Sequence, residues 1–563
     1  MRSISIIILT FMCSTSAFSQ QGKKVQFIGG ARSQVTNSKF MTENDSITAP
    51  KSSGGYALLD LGIKINPNQK TEVLGMFRIN NAFGGFWGGS VSFDVRQLYV
   101  RGVAADVVRY HIGNIDYKLT PYTFYNHNTD FLTSSFGVLK IKEDVLNYES
   151  FYSNNTWRQQ GASVNFALQF PKIIDEIEFN GFISRLNPTD LNSILERLYG
   201  GGNMVINQGE NVKLGLNHVS VFDLAGTAID SNIYNNNVST FTYDFQFENE
   251  QFTYGLDGES GIGITSESLY PEKQLSDYFV HTRAYLNLKK LRLNFNFGYM
   301  DNGPDFRSFG AQSRRVNFNQ QNSFYNRYTN SQILRPVSMF DMYNDPNLIN
   351  QGISVGVMDY NPAVNNALPF GIATFNRRGA YMGVNYSDKK QIFETNGKLY
   401  YLSEIRGQGT TNLKSFLIAN MNGALHANKL WGGKKELNAQ LGVTLQQTTR
   451  NGEFTFQNVD LTSTLINFGL EAELIDDLFI MGNLFLMKAT GKDQLPDRNA
   501  DDVIINYNDF IIDGNELNIA SGLRFDFSKK AYLAAMYESN TNTFVVDNPY
   551  TFNQMSIFYV MKF

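Results

Sequence analysis

Residues Met555–Phe563 read MSIFYVMKF. With period two, Met555, Ile557, Tyr559, Met561 and Phe563 share one face. Ser556 and Lys562 mark the other, with Phe558 and Val560 between them. A strand with one greasy face that ends on an aromatic carboxy-terminus suits the closing strand of a barrel set in lipid. A terminal strand of a soluble sandwich would alternate as well, so the rest of the chain has to decide between the two.

The amino-terminus points the same way. Arg2 precedes an apolar stretch, Ile4 to Met12, that is too short to span a bilayer as a helix. Ala17-Phe18-Ser19 has the small-x-small form of a cleavage site, so residues 1–19 read as a secretory signal peptide and 20–563 as the mature chain. Cys13 is the only cysteine, and Thr10-Phe11-Met12 before it lacks the pattern of a lipoprotein acylation site. The mature chain then has no disulfide, and barrel closure is one other source of stability.

Composition agrees. Mean hydropathy is −0.27, a value that fits a barrel because each strand carries only one greasy face. Phe and Tyr, 45 and 29, far outnumber the 3 Trp. The formal net charge is −4 with no basic block, which argues against a nucleic-acid partner.

Alternation recurs along the chain. Phe241, Tyr243, Phe245 and Phe247 oppose Thr242, Asp244, Gln246 and Glu248. Leu293, Phe295, Phe297 and Tyr299 oppose Arg292, Asn294, Asn296 and Gly298. Leu437 to Leu445 and Leu517 to Phe527 behave likewise, and helical spacing fits none of these segments. Val91 to Gly102 changes face midway; a bulge near Arg96-Gln97 would restore its register.

Ten short polar turns punctuate the chain, from Asn66-Pro67-Asn68 to Ser528–Lys530, and longer Asn/Asp/Ser-rich stretches lie between them. This is the pattern of short periplasmic turns and long outer loops. Ten turns join twenty strands, and a first and a last strand make 22. The expectation is therefore an all-β, transmembrane, antiparallel up-and-down barrel of 22 strands, within a range of about 16 to 22, with no separate plug domain. No helix is expected to cover the greasy face.

Two loops are unusually long, about Asp116 to Trp157 and about Asp301 to Arg378. The second carries Arg314, Arg315, Arg327, Tyr325 and Tyr328, a composition unlike that of a disordered linker. These residues are candidates for contact with the barrel interior, its rim or another protein. Part of this loop is expected to fold inward, its arginines pairing with Glu471 and Glu473.

The inward faces carry Arg78, Glu176, Glu178, Asp244, Arg283, Arg292, Glu394, Lys398, Glu471, Glu473 and Arg524. Mixed signs suit a wet pore for polar solutes, and equally a lumen cross-linked by ion pairs; a single-sign ring would instead mark an ion-selective channel. No enzyme signature is present: the five histidines form no HExxH pattern, and no GxSxG or Walker loop occurs. His281 reads as a luminal histidine in a polar network. Asp497–Asp502 has oxygen ligands at alternate positions but lacks the glycine and the twelfth-position glutamate of a calcium loop, so no metal or cofactor is expected.

Gly75–Asn80 (GMFRIN), Val91–Arg101 (VSFDVRQLYVR) and Val108–Asp116 (VRYHIGNID) look like the early hairpins of a known group. With them, the chain resembles the porin-like outer-membrane barrels of Bacteroidota, including alginate-export-type barrels. That resemblance implies export to the outer membrane, lipid around the barrel and a role in solute passage, with no particular substrate. Two readings of function follow. One is a passive or facilitated channel for small polar solutes. The other is a non-conducting barrel serving as a subunit or scaffold of a larger secretion or assembly complex, with the long loops as docking surface.

Overall fold

The alternating segments close on themselves. The computed structural model describes residues 24–42, 51–83, 91–124, 136–152, 158–170, 174–187, 195–229, 232–268, 271, 274–311, 362–498, 504–544 and 549–563. Twenty-two antiparallel strands, from Val25–Thr42 to Tyr550–Lys562, each pair with the next in sequence. The first also pairs with the last, from Gly30 opposite Lys562 to Thr42 opposite Tyr550, so the sheet has no edge. The described short turns, among them Asn249-Glu250, Asp388–Lys390 and Asp476-Asp477, lie at one end, with the carboxy-terminus beside them. The segment Arg197–Gln208, the least regular by its pattern, is a full member of the wall.

The two faces of the wall differ as lipid and lumen do. Phe297, Tyr401 and Met421 point outward and are about 60% exposed, whereas Asn483, Asn518 and Asn540 point inward and are buried. An apolar surface that encircles the molecule is tolerable only in a bilayer, so this is a transmembrane barrel. Outward aromatic pairs collect near the short turns: Phe247 with Tyr254, Phe525 with Phe527, and Phe166 with Phe179. Leu430 and Trp431 project from the turn after Ser415–His426. Such a girdle marks the periplasmic interface.

The expected bulge is present. Met76 pairs with Gln97 and Phe77 with Val95, which leaves Arg96 as the extra residue. Arg96 and Gln97 both turn inward, so Val95 and Leu98 both face lipid.

The seam is sealed at the carboxy-terminus. Phe563 N–H donates to the Gly29 carbonyl at 3.1 Å, and Gly29 N–H donates back at 3.2 Å. Gly29 has φ +150°, and a Cβ there would lie 2.0 Å from the Asp60 carbonyl oxygen. Only glycine lets the strands approach so closely.

A helix stands where the sequence pattern predicts only loop, and it lies on the luminal side, not over the greasy face. Gly137–Tyr152, within the first long loop, is an α-helix lying inside the barrel. Val138, Leu139 and Ile141 are buried against inward apolar side chains, among them Met481, Phe485, Met536 and Phe558. Each such burial contributes roughly 1.5–3 kcal/mol. A luminal asparagine satisfies an N–H of the first turn: Val138 N–H donates to Asn483 Oδ1 at 2.7 Å.

Candidate functional site

The lumen is the site, and three elements divide it. The helix Gly137–Tyr152 fills the sector beside the seam. Lys142 Nζ lies 2.6 Å from Glu538 Oε1, and both side chains are almost wholly buried. Further along, Tyr148 OH donates to Asp60, which also holds Arg78 through two bonds of 2.6 and 2.7 Å. The Arg96 guanidinium stands over the Tyr148 ring.

The second element is the stretch before that helix. Tyr122 stacks on Phe279 with ring centroids 3.9 Å apart, and Phe124 packs on Phe182 and Tyr199. Thr120 donates to Glu259 at 2.6 Å, Tyr199 donates to the Thr123 carbonyl, and Ser308 donates to the Tyr122 carbonyl.

The third element is the pair of described ends of the second long loop, 301–311 and 362–378. Both turn inward. Phe306 joins the cluster around Tyr122, and Leu368 joins one with Met300, Leu402 and Phe416. Asn366 Nδ2 donates to Asp493 Oδ2 at 2.6 Å, while Lys414 Nζ reaches Asp493 Oδ1 at 2.5 Å. Arg377 donates to the carbonyls of Ala367 and Asn366 and lies 4.1 Å from the Phe416 ring centre.

Together the second and third elements form an apolar layer across the outer part of the lumen, on the side of the long loops. Beneath it lies a cavity of about 940 Å³. Leu119, Leu368 and Ile372 line its upper part, and Lys140 and Glu143 of the helix line one side. The wall contributes Glu259, His281, Arg283, Tyr381, Lys398 and a group of asparagines. A second cavity of about 390 Å³, lined by Arg292, Asn294, Glu394 and Gln440, shares Asn385, Asn396 and Asn422 with the first. The two therefore adjoin, the smaller on the periplasmic side.

The inward residues named from the sequence take different places. Arg78 is paired with Asp60 under the helix. Glu178 accepts from Asn207 Nδ2 at 2.7 Å, and Glu176 lies near Gln169 beside the turn. Asp244 faces Asp257 across the strand pair, and Arg283 binds that Asp257 at 2.8 Å. Lys398 projects into the main cavity and Glu394 into the smaller one. Arg524 bridges Glu471 and Asp526 and stands over Phe479.

Two of them sit lower than expected. Arg292 belongs to a turn, with φ +53°, and donates to the carbonyls of Asp388 and Lys389. Glu473 accepts from the N–H groups of Glu436 and Asp477, next to Lys435. Arg292 lines the smaller cavity from that end, and Glu473 serves the periplasmic rim. Among the described residues, Glu471 pairs with Arg524 and Glu473 with Lys435, in place of loop arginines. Among the described loop arginines, Arg378 instead pairs with Asp301 at 2.9 Å, and Arg307 lies over the Phe375 ring. Arg314, Arg315, Arg327, Tyr325 and Tyr328 lie outside the described residues, as do the expected signal peptide and most of the Asp497–Asp502 loop. Among the described residues no group of three or more His, Cys, Asp or Glu is arranged to hold a metal.

His281 occupies the polar network expected of it, its Nε2 2.7 Å from Tyr381 OH. Sequence reasoning missed Asp60, Asp493, Glu538 and Lys142, the buried charges that fasten the luminal elements.

No family model and no curated protein matches the chain. Solved structures resemble it at low identity. OccAB4 of Acinetobacter baumannii is 11% identical over 96% of this chain and 98% of its own, with a TM-score of 0.30. OpdQ of Pseudomonas aeruginosa is 9% identical over 96% and 98%, with a TM-score of 0.34. The ferric citrate transporter FecA in its unliganded form is 9% identical over 95% and 78%, with a TM-score of 0.46. The barrel architecture rests on the strand register itself.

Proposed function

We propose that this protein is an outer-membrane channel for small polar solutes, of the porin-like type that its early hairpins resemble. The observation that carries this reading is the cavity beneath the apolar layer. It is lined by charged residues and carboxamides below an apolar roof, is large enough for a small solute and adjoins a second cavity on the periplasmic side. A barrel of 22 strands has a bore that needs filling, and here loops and one helix fill it. They narrow the path while leaving wet cavities among the described residues. In this reading, Lys398, Arg283 and Glu394 face the solute, whereas Arg78, Glu471 and Arg524 hold the wall together.

The apolar layer makes passage selective and slow. A solute crosses by displacing Tyr122, Leu368 and their neighbours, or by a path that opens when the loops shift. Liposome swelling with the purified mature protein tests this reading. Glucose-sized neutral solutes should enter vesicles that hold the protein faster than empty vesicles. Swelling no faster than in empty vesicles would remove the channel reading and leave a scaffold.

A further inference from the structure

We propose that the main luminal cavity binds uncharged, hydroxyl-rich solutes of sugar type; this rests on the channel reading and names its substrate class. The first observation is a row of carboxamides. Asn287 pairs with Asn294, Asn294 with Asn385, Asn385 with Asn396, and Asn396 with Asn422. Residues paired across strands point to the same side, so one level of the inner wall carries five adjacent asparagines. The next level, toward the apolar layer, adds Asn296, Asn420 and Thr444.

A carboxamide both donates and accepts, as a sugar hydroxyl does, and it carries no charge. Asn422 Nδ2 is already set by Asn396 Oδ1 at 3.1 Å and Asn420 Oδ1 at 2.8 Å, and Asn420 Nδ2 by Thr444 at 2.6 Å. These bonds orient the row before a solute arrives, which lowers the entropy cost of binding.

The second observation is charge balance. Lys140, Arg283 and Lys398 line the cavity, and so do Glu143, Asp257 and Glu259. Three cations face three carboxylates, and Arg283 and Asp257 neutralise each other directly. No single-sign field is present to draw in an ion of one charge.

The third observation is an apolar side to the same space. Tyr381 and Tyr400, with ring centroids 5.1 Å apart, line it together with Leu119, Leu368 and Ile372. A pyranose has polar edges and apolar C–H faces. A carboxamide wall below a roof of rings and aliphatic groups matches both.

The test is block of ion current in planar bilayers by glucose, gluconate and glucosamine, which are similar in size and differ in charge. Glucose should block at the lowest concentration. In an Asn396→Leu/Asn422→Leu variant its half-blocking concentration should rise by about fivefold for each hydrogen bond lost. Heat-modifiable migration checks that this variant folds. Asn385→Asp is a near-isosteric second variant that should weaken glucose block and favour glucosamine. If gluconate or glucosamine blocks the wild-type protein better than glucose, the substrate assignment fails while the channel stands. If the asparagine variants leave glucose block unchanged, the assignment to this row fails likewise. An absence of ion current overturns both the assignment and the channel.

Discussion

Neighbouring residues of one strand face different solvents, and that makes the account testable side chain by side chain. Phe297 is about 60% exposed on the outer face, and Asn296 next to it lines the cavity. Phe297→Arg should cost about 2–4 kcal/mol near mid-bilayer, and Asn296→Arg much less. Folding equilibria in vesicles measure both, and equal losses would mean that the strand does not separate lipid from water. Inside, Lys142 and Glu538 are a different case. Removing one charge strands the other in a dry site, at about 3–5 kcal/mol. Lys142→Met should therefore abolish amide-exchange protection in Gly137–Tyr152. Lys142→Met combined with Glu538→Leu should restore much of it, because no lone charge remains. Equal loss in the single and double variants would show that the pair does not hold the helix.

At the scale of elements, the seam and the luminal helix depend on different contacts. Gly29→Val would push a side chain into the Asp60 carbonyl and part the first strand from the second, breaking the closed sheet beside the seam. It should abolish the heat-resistant folded form on gels. Gly482→Ala, at a site with nothing within 4 Å, should leave that form intact. If Gly29→Val assembles as well as Gly482→Ala, closure does not depend on that approach. The wall elements were legible in the sequence because their signal is local. Phe295 and Phe297 against Asn294 and Asn296 declare a face within a few residues, and even the Arg96 bulge showed as a broken alternation. The helix has a local signal too, since Val138, Ile141, Lys142 and Val145 fall at helical spacing. It was overlooked because it lies in a stretch read as a loop. What fastens it was not legible at all. Lys142 and Glu538 are 396 positions apart, and Asn366 and Asp493 are 127 apart, so only the closed barrel brings them together. For the same reason nothing local accounts for apolar side chains on the inner face at Met481 and Phe558, which the helix covers. Arg292 and Glu473 had the right parity for the lumen, but alternation gives a face and not a depth.

At the scale of the whole molecule, a closed sheet surrounds a partly filled bore in which wet cavities remain among the described residues. The stability of the wall and the permeability of the lumen are thus set by separate parts. The wall is held by strand pairing, by lipid contact and by ion pairs such as Arg524 with Glu471. In the channel reading, permeability is set by a helix and loop ends anchored at Glu538, Asp60 and Asp493. The luminal helix contributes no strand to the barrel, so its removal should spare assembly and widen the path. The most direct measurement is single-channel conductance of the mature protein, compared with a variant in which residues 137–152 are replaced by a short Gly-Ser linker. Small unitary steps that grow severalfold in the variant are the predicted result. Absence of unitary steps from both proteins, each folded and inserted, would contradict a conducting barrel narrowed from within.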